Sequence, residues 1–294
     1  LIKPPPQQQQ TLPLRSWLIR TSQNSTGKTQ LLHPLFPTYS PLPFPFHHVI
    51  DFNKFSTLHL GTNFTFTIDN QSYGDDYIYP LKVVTTTSHG EKPLVLGKLD
   101  PRFVLFKCGD ENWKVIPDMQ TNLNDICLYK GQLYAVDDSG RTIRVGPDNS
   151  SVQLVAEPLV DGDGFVKLLV ESEGDLLLAD IHAHFYIGFP CHDPGAIDLF
   201  KLNEKEKKWV KLTSLGDRVL FLGECCSFTV SASDLCGSKG NCVILLDYLI
   251  QSLPTMPLET CILHLDEGRI SLLSDDPEYS NLFWPPPEWI VKSC

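Results

Sequence analysis

No acidic residue occurs in the first 50 positions of this 294-residue chain, which hold only Lys3, Arg15, Arg20 and Lys28 as charges. Residues 51–294 then carry 20 basic and 35 acidic groups, a net charge of −15. A body of that sign repels phosphate backbones and argues against a nucleic-acid binder. No apolar run reaches the roughly 18 residues that a membrane-spanning helix needs. No basic-then-apolar start reads as a secretory signal. Helical periodicity is almost missing as well. Its longest candidate, Asp247 to Leu253, is cut off by Pro254. The nine cysteines are odd in number and irregular in spacing, which excludes an ordinary disulfide framework and points to free thiols in a reducing cytoplasm or nucleus. The sequons at Asn24, Asn63, Asn70 and Asn149 carry little weight without an entry signal.

What is present divides at about residue 46. Nine of the 23 prolines fall before that point, with Pro4-Pro5-Pro6 followed by Gln7 to Gln10. Residues 1–46 therefore read as a proline-rich connector that favours extended backbone. One apolar patch, Leu14 to Ile19, interrupts it and could pack on the domain as a first strand. The chain starts with Leu1 rather than Met, so it is expected to begin downstream of its natural start.

From residue 47 onward the pattern is all-β. Short apolar runs such as Phe103–Phe106, Leu133–Val136, Leu176–Ala179 and Val243–Leu246 alternate with turn signals such as Asp138-Ser139-Gly140 and Glu171-Ser172-Glu173-Gly174. A unit recurs. Phe103–Lys107 is followed by a polar turn and Trp113–Ile116, and Asp198–Leu202 by a polar turn and Trp209–Leu212. The two tryptophans are 96 positions apart, which two propeller blades of about 40–50 residues each would fill. Between and after these hairpins come Asp125–Asp137, Val166–Asp180 and the pair Ser227–Ser231 with Asn241–Asp247, all read as inner strands. Cys261–Leu265 with Arg269–Leu273 reads as one more outer hairpin. A four-stranded blade has two apolar faces and buries both only between neighbours in a ring. The expected fold is a β-propeller of kelch-like four-stranded blades, five or six in number with six preferred, over residues 47–294. Stretch 55–100 has to supply the blades not otherwise visible.

At these residues the chain resembles the plant F-box proteins that carry a KIB-type β-propeller, the SKP-interacting-partner type. The stretches that carry the resemblance are Asn124–Asp137, Leu169–Leu178, Trp209 with Ser214–Gly223, Lys239–Cys242 and Trp284–Trp289. The residues expected to mark the blades are Trp113, Gly131, Tyr134, Asp137, Gly174, Trp209, Gly216, Asp217, Phe221, Asn241 and Trp289. The resemblance implies an F-box ahead of residue 1, absent from this chain, with 1–46 as the spacer behind it. It further implies a non-catalytic substrate receptor of an SCF cullin ubiquitin ligase. The propeller would bind the target protein, and the SKP adaptor and cullin would be reached only through the F-box. The competing readings are an F-box-less propeller adaptor without ubiquitin transfer and a propeller lectin or enzyme. No cofactor, metal, nucleic acid or membrane is expected.

Several local patterns look like sites and fail on spacing. His182-Ala183-His184 with Cys191-His192-Asp193 matches no standard zinc spacing and reads as a blade-edge loop. Cys225-Cys226 with Cys236 and Cys242 reads as structural thiols, because adjacent strand residues face opposite ways. Ser25–Thr29 ends like a phosphate loop, but Ser22 stands where its first glycine belongs and no strand or helix is expected beside it. Asp161–Gly164 starts like a calcium loop and lacks the distal Glu. There is no G-x-S-x-G elbow. Trp113 and Trp209 are read as packing residues. Asp125, Asp137 and Asp180 are expected to bond turn backbone. Lys205, Lys207 and Lys208, alternating with Glu204 and Glu206, are read as an exposed hairpin turn.

Overall fold

The computed structural model describes residues 1–4, 14–23, 27, 29–35, 50–62, 64, 82–86, 93–99, 102–116, 123–146, 152–160, 162–182, 197–223, 226–235, 238–246 and 260–292. They fall into two compact units. One takes in Leu1–Gly61 and Thr213–Cys294, the other Thr62–His184 and Gly195–Leu212.

In the first unit, β1 (Ile2–Lys3) pairs antiparallel with β4 (Ser56–Thr57), and β2 (Arg20–Gln23) with β3 (Thr29–Leu32). Trp17 exchanges two backbone hydrogen bonds of 2.9 Å with Ile2, so the Leu14–Ile19 patch does meet a strand, as a single bridge. Leu1, Ile2, Trp17, Leu18 and Leu35 are buried. Trp17 Nε1 donates to Phe283 O at 2.8 Å, and Trp289 Nε1 donates to Arg15 O at 3.1 Å. This corrects the connector reading for the described part of 1–46. Residues on both sides of position 46 belong to one unit. The physical reason is burial. Each large apolar side chain taken from water contributes about 1.5–3 kcal/mol, which outweighs the extended preference of the prolines between them.

Among the described residues the second unit holds three consecutive four-stranded antiparallel sheets, each of the size of a propeller blade. The first contains β5 (Lys82–Thr85), β6 (Leu94–Leu99), β7 (Arg102–Lys107) and β8 (Lys114–Val115). The second contains β9 (Leu123–Tyr129), β10 (Gln132–Asp137), β11 (Thr142–Val145) and β12 (Val152–Ala156). The third contains β13 (Val166–Ser172), β14 (Asp175–Ile181), β15 (Ile197–Asn203) and β16 (Lys208–Leu212). Both Trp-led hairpins are in place, with Trp113 just ahead of β8 and Trp209 within β16. Two sheets therefore fill the interval between the tryptophans, as their spacing predicts.

The apolar runs have a simple cause. In β10, Leu133 and Ala135 pack with Leu96, Phe103 and Leu105 of the first sheet. Tyr134 and Val136 pack the other way, with Leu169, Leu178 and Trp209 of the third. A strand buried on both faces reads as a continuous apolar run rather than an alternating one. β9 and β13 each turn into the next strand through two residues of positive φ, Lys130-Gly131 (49° and 72°) and Glu173-Gly174 (50° and 83°). That is the geometry of the tight hairpin turns whose twist matches the strands.

The remaining sheet lies in the first unit. It holds β17 (Arg218–Leu222), β18 (Phe228–Ser231), β19 (Cys242–Leu246), β20 (Thr260–His264) and β21 (Arg269–Leu272), in the order β18-β17-β19-β20-β21. The β20–β21 hairpin stands as expected. The inner pair does not. β17 inserts between β18 and β19 and pairs with β19 in parallel, Val219 opposite Cys242. Val219, Leu220, Phe221 and Leu222 are fully buried, and so apolar a strand is most stable at the centre of a sheet. Helices α1 (Pro277–Ser280) and α2 (Glu288–Val291) close the described chain. The described residues thus hold four sheets of blade size. β5 and β6 come from stretch 55–100, and much of the rest of that stretch lies outside the described residues.

Candidate partner-binding face

Strand direction gives the second unit two ends. At one end β9 and β13 begin, β10 and β14 finish, and the connections 138–141 and 157–165 emerge. At the other are the Lys130-Gly131 and Glu173-Gly174 turns.

The first strands of the sheets, β5, β9 and β13, lie side by side, and a chain of buried polar contacts ties them. Lys82 Nζ donates to Asp125 Oδ1 at 2.7 Å, and the Leu169 amide donates to Asp125 Oδ2 at 2.8 Å. Asn124 Oδ1 accepts from the Lys167 amide at 3.0 Å. Lys167 Nζ donates to Gly164 O at 2.7 Å and lies 2.8 Å from Asp180 Oδ1, both side chains being 0% exposed. The Asp180 oxygens have no hydrogen-bond donor among the described residues. Lys167 therefore meets Asp180 as a charge at contact distance rather than as an aligned donor. Gly164 makes room for it, because a Cβ there would stand 2.0 Å from Asp180 Oδ1. At the surface of this network His182 Nδ1 lies 2.9 Å from Asp163 Oδ1, and Lys211 Nζ lies 2.8 Å from Asp198 Oδ1.

These contacts correct two expectations. Asp125 and Asp180 do not serve their own turns; they compensate lysines from other strands. Asp137 does serve its turn, since its Oδ1 accepts from the Ser139 amide and hydroxyl and from the Arg141 amide. A signal for Lys167–Asp180 was present. Counting back from the two-residue Glu173-Gly174 turn places Lys167 directly opposite Asp180. The network is structural in kind. Its lysines and carboxylates neutralise each other, and no nucleophile stands beside a base in it.

The blade markers are distributed as follows. Trp113 stacks obliquely on Phe106, with ring centres 5.3 Å apart. Tyr134 is buried edge-on against Tyr129. Trp209 Nε1 donates to Gly140 O at 2.9 Å. Gly216 (φ 63°) and Asp217 form the turn into β17. The Asp217 carbonyl accepts from the Ala232 amide, and its carboxylate from Ser231 Oγ. Phe221 stacks on Phe228. Asn241, at φ 59°, uses its Oδ1 to accept from the Leu215 amide at 2.8 Å. Trp289 packs with Ile2 and Trp17. Each holds turn or core.

The other patterns resolve in part. Cys242 is buried and donates to the Tyr279 hydroxyl oxygen, and burial pushes its thiol up to about 11. Burial, with the Asp125 charge, likewise raises the Cys127 thiol. Such thiols are poor nucleophiles. Cys226 donates to Pro34 O at 3.0 Å, while Cys225 and Cys236 lie outside the described residues, as do 183–196 and Asp161. Gly27 sits at φ 77° between β2 and β3. Strands border the phosphate-loop resemblance, which corrects the expectation that no element stands beside it, while Ser25, Thr26 and Lys28 lie outside the described residues. Lys205, Lys207 and Lys208 stand exposed in and beside the β15–β16 turn, as expected. Val160 and Phe165, two apolar residues between β12 and β13, are exposed. Their signal was an apolar residue on either side of a Gly-Asp-Gly turn, in neither strand.

Comparison with known proteins fits this architecture. Residues 5–271 match the family model described as the KIB1-4 beta-propeller. F-box protein SKIP23 of Arabidopsis thaliana is 32% identical over 94% of this chain and 74% of its own length. A second F-box protein of that plant is 30% identical, over 95% of this chain and 74% of the relative. A third is 29% identical, over 83% and 76%. Sheets of blade type, the Trp-led hairpins and a match over most of the chain converge, and the chain belongs to the KIB1-4 beta-propeller family.

Proposed function

We propose that this chain is the target-binding part of an F-box substrate receptor in an SCF-type ubiquitin ligase. The observation that carries the reading is the similarity to F-box proteins over nearly the whole chain, joined to a propeller whose buried charges are matched and inert. Such a receptor performs no covalent chemistry. It raises the effective concentration of a target beside the ubiquitin-charged enzyme, and the connections at a propeller end are its natural contact surface. The described part of 1–46 is built into the core of the first unit, so the receptor would hold a preceding F-box close rather than on a long spacer. The thiols of Cys127 and Cys242, free and buried, support placement in the cytoplasm or nucleus. No helix among the described residues is long and apolar enough to cross a membrane.

The test is co-purification of the SKP adaptor with the product of the complete reading frame and with residues 1–294 alone. The reading expects adaptor with the former and none with the latter. A complete reading frame without an F-box, and without adaptor, would overturn it.

A further inference from the structure

Val160 is 86% exposed and Phe165 71% exposed. Both lie in the connection from β12 to β13. Single exposed apolar residues are ordinary on protein surfaces. This pair differs because the chain that carries it is pinned. The Glu157 amide donates to Lys207 O at 2.9 Å, the Leu159 amide to Ser139 O at 2.8 Å and the Phe165 amide to Ile181 O at 2.9 Å. Leu159 fills the space beside Gly140 and Gly162, where an added Cβ would come within 2.7 and 2.4 Å of it. Gly164 is locked over Asp180. A backbone held at this many points has little freedom left to lose on binding, which removes one of the main costs of association.

The same connection is acidic. Residues 157–165 contain Glu157, Asp161 and Asp163 and no basic residue. The Asp163 carboxylate stays 86% exposed although His182 Nδ1 lies 2.9 Å away. Glu157 has no ion-pair partner among the described residues. Asp198 belongs to the neighbourhood too, but Lys211 offsets its charge. Behind them stands the net −15 of residues 51–294, which draws positively charged partners and repels acidic ones.

We infer that the 157–165 connection is a docking site for a basic, extended segment of the target protein, in which an apolar side chain is flanked by Lys or Arg. Val160 and Phe165 receive the apolar side chain, and Glu157 and Asp163 pair with the bases. The inference rests on the reading of the propeller as a target receptor.

The test pans a phage-displayed library of random short peptides against the chain of residues 1–294. Selected peptides are then measured by fluorescence anisotropy against wild type, Phe165→Ser, Val160→Ser and Asp163→Asn. The expected peptides carry basic residues around an apolar one. Their affinity falls about tenfold or more with Phe165→Ser, falls with Asp163→Asn, and weakens as salt rises. All three positions are exposed, so thermal unfolding of the variants should match wild type, and circular dichroism checks this. Acidic or uncharged peptides, no selected peptide, or peptides that bind Phe165→Ser as they bind wild type would overturn the inference. So would a wild-type dimer that Phe165→Ser converts to monomer, since a second copy would then occupy the site. Adaptor co-purification with the complete reading frame is read separately and should be unchanged by Phe165→Ser. Loss of adaptor binding in wild type would count against the ligase reading alone.

Discussion

Trp209 donates its indole N–H to the carbonyl oxygen of Gly140 at 2.9 Å, across 69 positions of the chain. The contact joins the third sheet of the second unit to the β10–β11 turn of the second. It explains why a tryptophan leads that strand, since a phenylalanine could fill the core but not reach the carbonyl. Trp209→Phe removes this bond while Thr142 Oγ1 still donates to Gly140 O at 3.1 Å, and it should cost about 0.5–1.5 kcal/mol. Trp209→Ala should cost about 3–5 kcal/mol. Urea unfolding monitored by circular dichroism checks both, and a Trp209→Phe variant as stable as wild type would show that the hydrogen bond is idle.

Asp125 is 1% exposed and is shared between Lys82 and the Leu169 amide. Removing one partner strands the other charge in the interior. Lys82→Met and Asp125→Leu should each cost about 3–5 kcal/mol, and the double variant clearly less than their sum. A double-mutant cycle on unfolding free energies measures the coupling.

Gly164 lies against the Lys167–Asp180 pair. Gly164→Ala would put a methyl group 2.0 Å from Asp180 Oδ1 and 2.9 Å from Ile181 O. The carboxylate or the backbone has to move, at about 1–3 kcal/mol or more. Gly131→Ala offers a contrast. A Cβ there meets nothing within 4 Å, and only the positive φ of 72° opposes it. The Gly164 variant should lose more stability in thermal denaturation.

His33 stacks on Phe283 with ring centres 4.6 Å apart, and its Nδ1 accepts from the Leu35 amide. Burial, assisted by the Arg20 charge, lowers its pKa from 6.5 to about 3. The unfolded chain therefore binds the proton first. The contribution of this residue is intact above pH 6.5 and is lost as pH falls from 6.5 toward 3. The slope is at most about 1.4 kcal/mol per pH unit. His33→Phe should remove that part of the acid sensitivity, so the wild-type and variant stability curves should converge or cross below pH 6.5. Parallel curves would contradict the assignment.

Range decides what could be read from the chain. Asp137 was legible as a turn residue because its Oδ1 accepts from Ser139 and Arg141, two and four positions on. Asp125 was not, because its partners lie 43 and 44 positions away, and no local pattern carries such a distance. The three hairpin sheets follow from apolar runs joined by short turns. The parallel β17–β19 pairing does not, because the same apolar run fits a central strand of either direction. In the first 35 residues Pro4–Pro6 and the Gln7–Gln10 run suggest a connector, while Trp17, Leu18 and Leu35 decide the packing. Val160 and Phe165 show the reverse case, apolar residues that the chain leaves in water.

On the proposed reading this propeller delivers protein targets to a ubiquitin ligase. Proximity labelling with the complete protein in cells, followed by half-life measurement of each labelled protein with and without the gene, tests it most directly. The account predicts labelled proteins whose ubiquitin load falls and whose half-lives lengthen when the gene is removed, with restoration by wild type. Labelled proteins whose turnover is the same in both conditions would contradict it.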